Sequence, residues 1–448
     1  MRYSLTQRPT AQSRVDLPRR LREPGNIALI AVAAAWVVVL ALILRHRIFV
    51  TNDSVSNYMH VWYVAERIWG GNGIPLHMPV LGHGDAFAFP YGFLPWFSAA
   101  LLRPIFGDWI VTLWLVVGFL GLVAAQWWAF PELRCGWWTA LLLCDPMLVE
   151  APVLGQLPFL WATALLFAAI ACWRRGWWLA AAIVLGAAQA THPAVILPIA
   201  GPLILARLYW EPHRLRLLAC YALSLLIAVP ATWLVLASPS VGDSSTGTLV
   251  ANFFDTVSLR AIVIAAPFIG LVLQRTPLAR IPAVLLVGLI ALNAILVPIR
   301  QNEYAWGALN RTPDTSLLDF IHSAAFTPDS QRTYRILRVA DGKIGMYQLV
   351  QAGARLDSEP FPESIDRRSF ASTADYLAFL RKRDVGYVII YRAYDDRYGT
   401  NEHALLQELT LAPGVASEMP LAETIAMTDE YDVYRVRPEA ATTATAGR

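Results

Sequence analysis

Several ionisable or polar side chains stand where the apolar runs of this sequence begin or end. They are Asp53, Asp85, Glu150, Gln156, His192 and Arg260. Charges beside apolar segments are costly, so they often serve a function. A carboxylate can take a proton from an attacking hydroxyl, and a histidine or arginine can hold a phosphate. The set therefore offers a base and phosphate-binding groups, provided that distant parts of the chain bring them together.

Each of the three acids has a structural and a chemical interpretation. Asp53 either caps the helix that follows it or serves as a general base or metal ligand at the mouth of a cavity. Asp85 follows the glycines of 82–84 (GHG), which suit either a plain turn or a close approach to a ligand, and it is a second candidate carboxylate or metal ligand. Glu150 is either an acid at the headgroup level or a group that binds a polar substrate.

The other three residues also leave two alternatives open. Gln156 stands across a short turn from Glu150 and could hydrogen-bond a polar substrate. His192 could pair with a phosphate or be satisfied by a neighbouring backbone group. Arg260 could bind a lipid phosphate or extend to the headgroups as an ordinary interfacial arginine.

The composition indicates a membrane protein. The 448 residues are 56% hydrophobic and only 15% charged, whereas soluble chains have about 25% charged residues. Apolar runs fill 26–300, and 301–448 has an ordinary soluble composition. The net charge of +3 gives no reason to expect a nucleic-acid partner. A phosphate-cradling glycine loop is missing from the sequence, which argues against a nucleotide-driven pump.

The apolar runs predict roughly nine transmembrane helices. They cover 26–44, 109–130, 137–149, 154–173, 177–190, 194–209, 215–237, 259–274 and 281–299. Alternate connections carry arginines, among them Arg134, Arg174, Arg175, Arg207 and Arg275, and the positive-inside rule makes these connections cytoplasmic. The N-terminal segment 1–25 is then cytoplasmic, and 301–438 lies outside the cytoplasm.

The outer loop 45–108 and the C-terminal region have their own patterns. Tyr58, Trp62 and Ala65 recur at near-helical spacing, which predicts an amphipathic helix on the outer surface. Prolines interrupt the apolar segment 87–107, which predicts a re-entrant or interfacial helix. The C-terminal region alternates helix and strand signals, typical of a small α/β domain. Predicted strands cover 334–339, 385–391 and 431–437, predicted helices cover 315–325, 373–383 and 403–411, and the tail 439–448 is predicted to be disordered.

The first outer loop resembles that of the GT-C glycosyltransferases. The matching segments are 53–58 (DSVSNY), 70–75 (GGNGIP) and 89–95 (FPYGFLP), followed by Gly155-Gln156, a basic turn at 173–175 and the helix end at 187–193. The resemblance covers about 26–210 at the level of pattern. Within the family, the run from 155 to 193 is similar to the branch that uses polyprenyl-phosphate mannose. That branch often has Lys-Pro where this chain has His192-Pro193, and the first loop here lacks an Asp-X-Asp pair.

The resemblance implies a GT-C-like membrane all-α helical bundle with a small extracytoplasmic α/β domain. It implies inverting transfer of a sugar from a polyprenyl-phosphate donor to a glycan, lipid or protein acceptor at the outer face of a bacterial inner membrane. Asp53 would be the base, with Asp85 or Glu150 as a second acid. Tyr58, Tyr91, Gln156, His192 and Arg260 would bind substrate. The resemblance leaves open whether the enzyme needs a divalent cation.

A second class of protein also fits the sequence. A non-catalytic transporter or assembly scaffold for lipid-linked saccharides would have the same composition. Transporters tend to have inverted repeats with broken helices near the midplane. Here no repeat is evident and the irregular segment and acids lie at one face, which favours the enzyme.

Overall fold

The computed structural model describes slightly more than half of the chain. The described residues are 27, 30, 34, 37–38, 54–75, 78–80, 92–131, 151, 155–236, 315–326, 333–337, 343–357, 368–411, 413–414, 417–428 and 430–437. Of the predicted membrane spans, 137–149, 259–274 and 281–299 lie outside them, as do nearly all of 26–44 and the tail 439–448.

Seven helices form the N-terminal half of the described chain. They are α1 Ser54–Trp69, α2 Phe93–Phe106, α3 Trp109–Ala129, α4 Leu157–Arg174, α5 Trp178–Thr191, α6 Pro193–Trp210 and α7 Arg214–Leu236. Among the described residues, three segments are long and apolar enough to cross a membrane: Trp109–Ala129, Leu157–Arg174 and Arg214–Trp233. Three helices are apolar but shorter. The total of nine spans stays a prediction.

Helix α2 occupies most of the proline-interrupted segment. Its 14 residues extend about 21 Å, which is less than the ~30 Å hydrocarbon core of a bilayer. Gly92 caps its start in the left-handed conformation, and Gly107 ends it. The observed length agrees with a helix that does not span, and a re-entrant or interfacial position stays a prediction.

Small residues let the membrane helices approach closely. A Cβ on Gly118 of α3 would stand 2.7 Å from the Trp161 side chain of α4, and one on Gly186 of α5 would stand 2.7 Å from Ile227 of α7. Trp161 donates its indole N–H to the Trp114 carbonyl at 3.1 Å. Close backbone approach is how helices gain packing energy where lipid supplies no hydrophobic driving force.

Helices α3 and α4 run in the same direction, and arginines mark the end where both of them finish. Arg174 donates to the Ala129 carbonyl at 2.7 Å, and Arg175 donates to the Trp128 carbonyl at 3.1 Å. Arg207 pairs with Glu211 at 2.9 Å. This pair lies near the same end, since Glu211 also accepts from the indole N–H of Trp173 in the last turn of α4. We call this the arginine end. The starts of α3 and α4 therefore lie at the opposite end.

The C-terminal part is an α/β unit, as its pattern predicts. Its elements are α8 Thr315–His322, β1 Thr333–Leu337, α9 Lys343–Gln351, β2 Arg355–Leu356, α10 Thr373–Lys382, β3 Val385–Tyr391, α11 Tyr394–Tyr398, α12 Glu402–Leu411, β4 Pro413–Gly414, β5 Ser417–Pro420, β6 Ala422–Met427 and β7 Tyr431–Val436. The main sheet has the order β2-β1-β3-β7-β6. Strand β1 pairs in parallel with β2 and β3, whereas β7 is antiparallel to β3 and β6. All six predicted elements are present, and the six others, α9, β2, α11, β4, β5 and β6, were not predicted.

A buried ion network ties this sheet to its helices. Arg335 of β1 donates to both carboxylate oxygens of Glu402 in α12, at 2.9 and 2.7 Å. It also donates to Asp357 at 3.2 Å, and Asp357 accepts from Arg383 at 3.1 Å. Arg335, Asp357 and Glu402 are all buried. The charges are therefore satisfied by one another rather than by water.

The C-terminal part covers helix α1. The Tyr347 hydroxyl of α9 donates to Asp108 at 2.9 Å, and its ring lies 6.0 Å from that of Tyr58. Burial, together with the charge of Asp108, raises the pKa of Tyr347, so its hydroxyl stays a neutral donor. The Leu356 N–H donates to the Val80 carbonyl at 2.8 Å, which fixes the edge strand β2 to the loop after α1.

The predicted helix in the first outer loop is confirmed, and it is more deeply buried than its amphipathic spacing alone predicts. Helix α1 spans Ser54–Trp69 and is followed by the turn at Gly70 and Gly71. Its first turns are buried all round, including the polar residues Ser56, Asn57 and His60. The reason is that α2 and α9 cover the sides that a surface helix would leave to water.

Candidate functional site

Asn57, in the first turn of α1, joins the starts of three helices. Its amide nitrogen Nδ2 donates to the Gly155 carbonyl at 2.5 Å. Its oxygen Oδ1 accepts from the Trp96 indole N–H at 2.8 Å. Gly155 directly precedes Gln156, the N-cap of α4, and Trp96 lies in the first turn of α2. One buried amide therefore holds the N-termini of α1, α2 and α4 together.

The turn between α5 and α6 adds a fourth helix start. The Gly92 N–H at the cap of α2 donates to the Thr191 carbonyl at 2.9 Å. The ring of His192, which caps α6, meets the ring of Phe159 in α4 edge to face, with centroids 6.3 Å apart. Because α4 begins here and ends at Arg174, these contacts lie opposite the arginine end.

These contacts form a closed circuit from α1 to α4, α6, α2 and back to α1. We call this arrangement the N-terminal ring, defined by Asn57, Gly92, Gln156 and His192. Gly92 is required in it, since φ is 75° and a Cβ would stand 2.8 Å from the Trp96 indole. The chain thus brings four segments that are far apart in sequence to one end of the bundle.

The N-terminal ring favours an anion electrostatically. Acidic side chains are missing from the first turns of α1, α2, α4 and α6 as described. The caps Gly92, Gln156 and His192 give no side-chain hydrogen bond to their own helices. A helix N-terminus has a partial positive charge of about one half, and such ends bind phosphates and carboxylates. Four such ends meet here, against one helix C-terminus of opposite sign, that of α5 at Thr191, and the arrangement suits a phosphate group.

Tyr58 and His60 line the buried side of α1. The Tyr58 hydroxyl and the Thr112 hydroxyl of α3 are 3.1 Å apart. His60 stacks on Trp96 with centroids 4.0 Å apart, and its Nδ1 donates to the Ser56 carbonyl at 2.7 Å. Burial lowers the pKa of His60 to about 4, so it is neutral at pH 7. His60 is therefore a packing partner of Trp96 rather than a cation.

The structure describes three of the eight predicted site residues. Tyr58, Gln156 and His192 are buried and lie in or beside the N-terminal ring. The other five, Asp53, Asp85, Tyr91, Glu150 and Arg260, lie outside the described residues. A common site for the predicted carboxylates therefore stays a prediction. In the described part of the chain, no group of three His, Cys, Asp or Glu side chains could hold a metal ion.

Sequence reasoning selected Gln156 and His192 of the ring but missed Asn57. Asn57 stands inside the segment that carries the family resemblance, but nothing in the sequence pairs it with Trp96 or Gly155. Thr112 stands within the apolar run 109–130, and nothing in the sequence pairs it with Tyr58. The available signal was a polar residue at a helix start among apolar neighbours, because such a group needs a hydrogen-bond partner when buried.

Comparison with known proteins yields one distant structural likeness. No family model and no curated protein matches the chain. Among solved structures it is similar to the archaeal oligosaccharyltransferase AglB from Archaeoglobus fulgidus, determined with an inhibitory peptide and a dolichol-phosphate. The identity is 10% and the TM-score 0.49, over 84% of this chain and 70% of that chain. A likeness of this degree assigns neither a family nor an activity.

Replacing Asn57 with leucine is expected to destabilise the N-terminal ring. The variant leaves the buried Gly155 carbonyl without its donor and the Trp96 indole N–H without its acceptor. This should lower the free energy of unfolding by about 2 kcal/mol. Thermal unfolding in detergent measures this as a lower Tm. Asn72→Leu is the matched control, since the Asn72 amide is exposed. Equal melting temperatures for the two variants would contradict the role given to Asn57.

Proposed function

We propose that this protein is an inverting glycosyltransferase of the GT-C type. It transfers a sugar from a polyprenyl-phosphate donor to a glycan, lipid or protein acceptor at the outer face of a bacterial inner membrane. Asp53 is the base and Asp85 or Glu150 the second acid. His192 and Arg260 bind the donor phosphate, and Tyr58, Tyr91 and Gln156 contact substrate.

The N-terminal ring is the observation that carries this proposal. It gathers Tyr58, Gln156 and His192 at one end of an apolar helical bundle. Three of the remaining predicted residues adjoin described residues in the sequence. Asp53 precedes Ser54 of α1, Tyr91 precedes Gly92, and Glu150 precedes Ala151, whose carbonyl accepts from the Gln156 N–H at 2.8 Å. Sequence adjacency thus supports a common site for these carboxylates and the ring.

The chemistry of transfer needs two kinds of group, and the proposed site residues include both. A carboxylate takes the acceptor hydroxyl proton while that oxygen attacks the anomeric carbon from the face opposite the phosphate. The bond from the anomeric carbon to the phosphate oxygen breaks, and the departing phosphate needs positive charge or dipoles. Asp53 fits the first role. Four helix N-termini and His192 fit the second.

The two ends of the bundle support the proposed orientation. Arginines gather at the arginine end, which the positive-inside rule assigns to the cytoplasm. The N-terminal ring is at the opposite end, and Tyr347 and Leu356 hold the C-terminal α/β unit on this side, against α1 and its following loop. If that unit positions the acceptor, the acceptor would lie beside the donor phosphate.

Transfer by the purified protein tests the proposal directly. The protein in nanodiscs is given radiolabelled polyprenyl-phosphate mannose, glucose and arabinose, each with membrane glycan extracts, and labelled product is counted. We expect transfer from one of the donors. Folded protein that transfers from none of them, yet moves a fluorescent polyprenyl-phosphate sugar across a vesicle bilayer, would replace the enzyme with a transporter. A folded protein that shows neither transfer nor transport would favour a scaffold.

A further inference from the structure

We propose that Tyr347 of the C-terminal unit is a positioning residue for sugar transfer. It holds the start of α1, and with it Asp53, in place beside the N-terminal ring. This inference rests on the proposed function and deepens it, because it names the contact through which the C-terminal unit acts on the membrane half. The Tyr347 side chain is buried, so it acts through the residues that it contacts rather than on a substrate.

Tyr347 contacts the starts of two helices of the membrane half at once. Its hydroxyl donates at 2.9 Å to Asp108, the N-cap residue of α3. Its ring lies 6.0 Å from the Tyr58 ring of α1, at an interplanar angle of 34°. The Tyr58 hydroxyl in turn lies 3.1 Å from the hydroxyl of Thr112, in the first turn of α3. One side chain of the C-terminal unit therefore joins α9 to both α1 and α3.

The Asp108 carboxylate serves this contact rather than its own helix. Aspartate is among the best N-cap residues, yet the Asp108 side chain makes no capping hydrogen bond to α3. Its oxygen Oδ1 accepts instead from Tyr347 and, at 3.3 Å, from Nε of Arg103 in the last turn of α2. Arg103 also pairs with Glu66 of α1 at 3.2 Å. A group that could stabilise α3 alone thus joins α1, α2 and α3 to the C-terminal unit.

The start of α1 is the place where a small displacement affects the proposed reaction most. Asp53, the proposed base, directly precedes α1 in the sequence. Asn57 ties this part of α1 to α2 and α4, and Tyr58 ties it to α3. Displacing a reacting group by about 1 Å can slow a reaction 100-fold. A hydrogen bond that adds little to stability can therefore have a large effect on the rate.

Removing one hydroxyl tests the inference and leaves the rest of the contact in place. Tyr347→Phe keeps the ring beside Tyr58, and the Leu356 N–H still binds the Val80 carbonyl. Transfer rates, Tm and affinity for the polyprenyl-phosphate sugar that wild type uses (mannose, glucose or arabinose) are measured in nanodiscs. We expect kcat per folded protein to fall about tenfold. Donor affinity should not change, because the helix N-termini that meet the phosphate stay in place.

A double-mutant cycle tests whether Tyr347 acts through Asp108. Asp108→Leu removes the acceptor and should lower kcat as Tyr347→Phe does, and the double variant should be no slower than either single one. Asp108→Asn keeps an acceptor oxygen and should retain about a third of the wild-type kcat or more. If Tyr347→Phe does not fold, the comparison of Asp108→Asn with Asp108→Leu makes the same test. A role in stability alone would lower Tm and leave kcat per folded protein unchanged.

Tyr398→Phe is the matched control. It removes a phenol hydroxyl from the same unit, on the side of the sheet that carries α10 and α12, and should leave kcat unchanged. Unchanged kcat in Tyr347→Phe, or additive effects in the cycle, would overturn the inference and leave the enzyme class in place. Folded wild-type protein that transfers no sugar would overturn the proposed function, and the inference with it.

Discussion

Replacing Asp53 with asparagine is expected to lower the rate of sugar transfer by about 100- to 10,000-fold. Asparagine has nearly the same size but cannot take the acceptor proton. Asp53 directly precedes α1, whose first turn Asn57 and Tyr58 hold in the bundle. The loss should therefore fall on kcat, with little change in donor affinity, because the phosphate would still meet the helix N-termini.

The measurement compares initial rates of transfer for wild type, Asp53→Asn and Asp396→Asn under saturating donor. Asp396 lies exposed in α11 and makes the matched control for loss of one carboxylate. Glu150→Gln and Asp85→Asn in the same assay identify which acid is the second one. Full activity in Asp53→Asn would remove Asp53 from the mechanism and leave the enzyme class in place.

Replacing Arg335 with methionine is expected to lower the free energy of unfolding of the C-terminal unit by about 3–5 kcal/mol. The variant leaves Glu402 without its arginine and Asp357 with only Arg383, in surroundings that water does not reach. Carboxylates buried without partners are far costlier than the loss of the pairing itself. Arg335 joins β1 to α12, so both elements should lose protection together.

Amide hydrogen exchange of the full-length protein measures this effect at 333–337 and 402–411. Lys382→Met, which removes an exposed positive charge from the same unit, is the control and should leave exchange unchanged. A double replacement of Arg335 and Glu402 by methionine should recover part of the lost stability, because it removes the uncompensated charge. Unaltered exchange in Arg335→Met would show that the network contributes no stability.

The sequence predicted the elements better than their contacts. Long apolar runs defined α3, α4 and α7, because helices in lipid need about 20 apolar residues. Alternating strand and helix signals defined β1, β3, β7 and three helices of the C-terminal unit for the same local reason. Helix α9 was missed because it has only nine residues and contains Gly345 and the β-branched Ile344, which weaken the helical signal. It is held by burial of Met346, Tyr347 and Val350.

The candidate site was predictable only in part. Gln156 and His192 could be selected because polar residues at helix ends in an apolar chain are informative, whereas Tyr58 is indicated only by the family resemblance. The pairing of Asn57 with Gly155 and Trp96 could not, because it depends on how separate helices meet. The burial of α1 was also unpredictable from its amphipathic spacing, since the residues that cover it stand far along the chain.

The contact between Tyr347 and Asp108 spans 239 residues of sequence, which sets the order in which the protein can be assembled during synthesis. At about 5–20 residues per second, the ribosome makes α9 tens of seconds after α3. During that interval Tyr58 and its neighbours in α1 lack the surface that later encloses them. A chain released before residue 343 would leave α1 partly uncovered, so maturation of the membrane half depends on completion of the last quarter of the polypeptide.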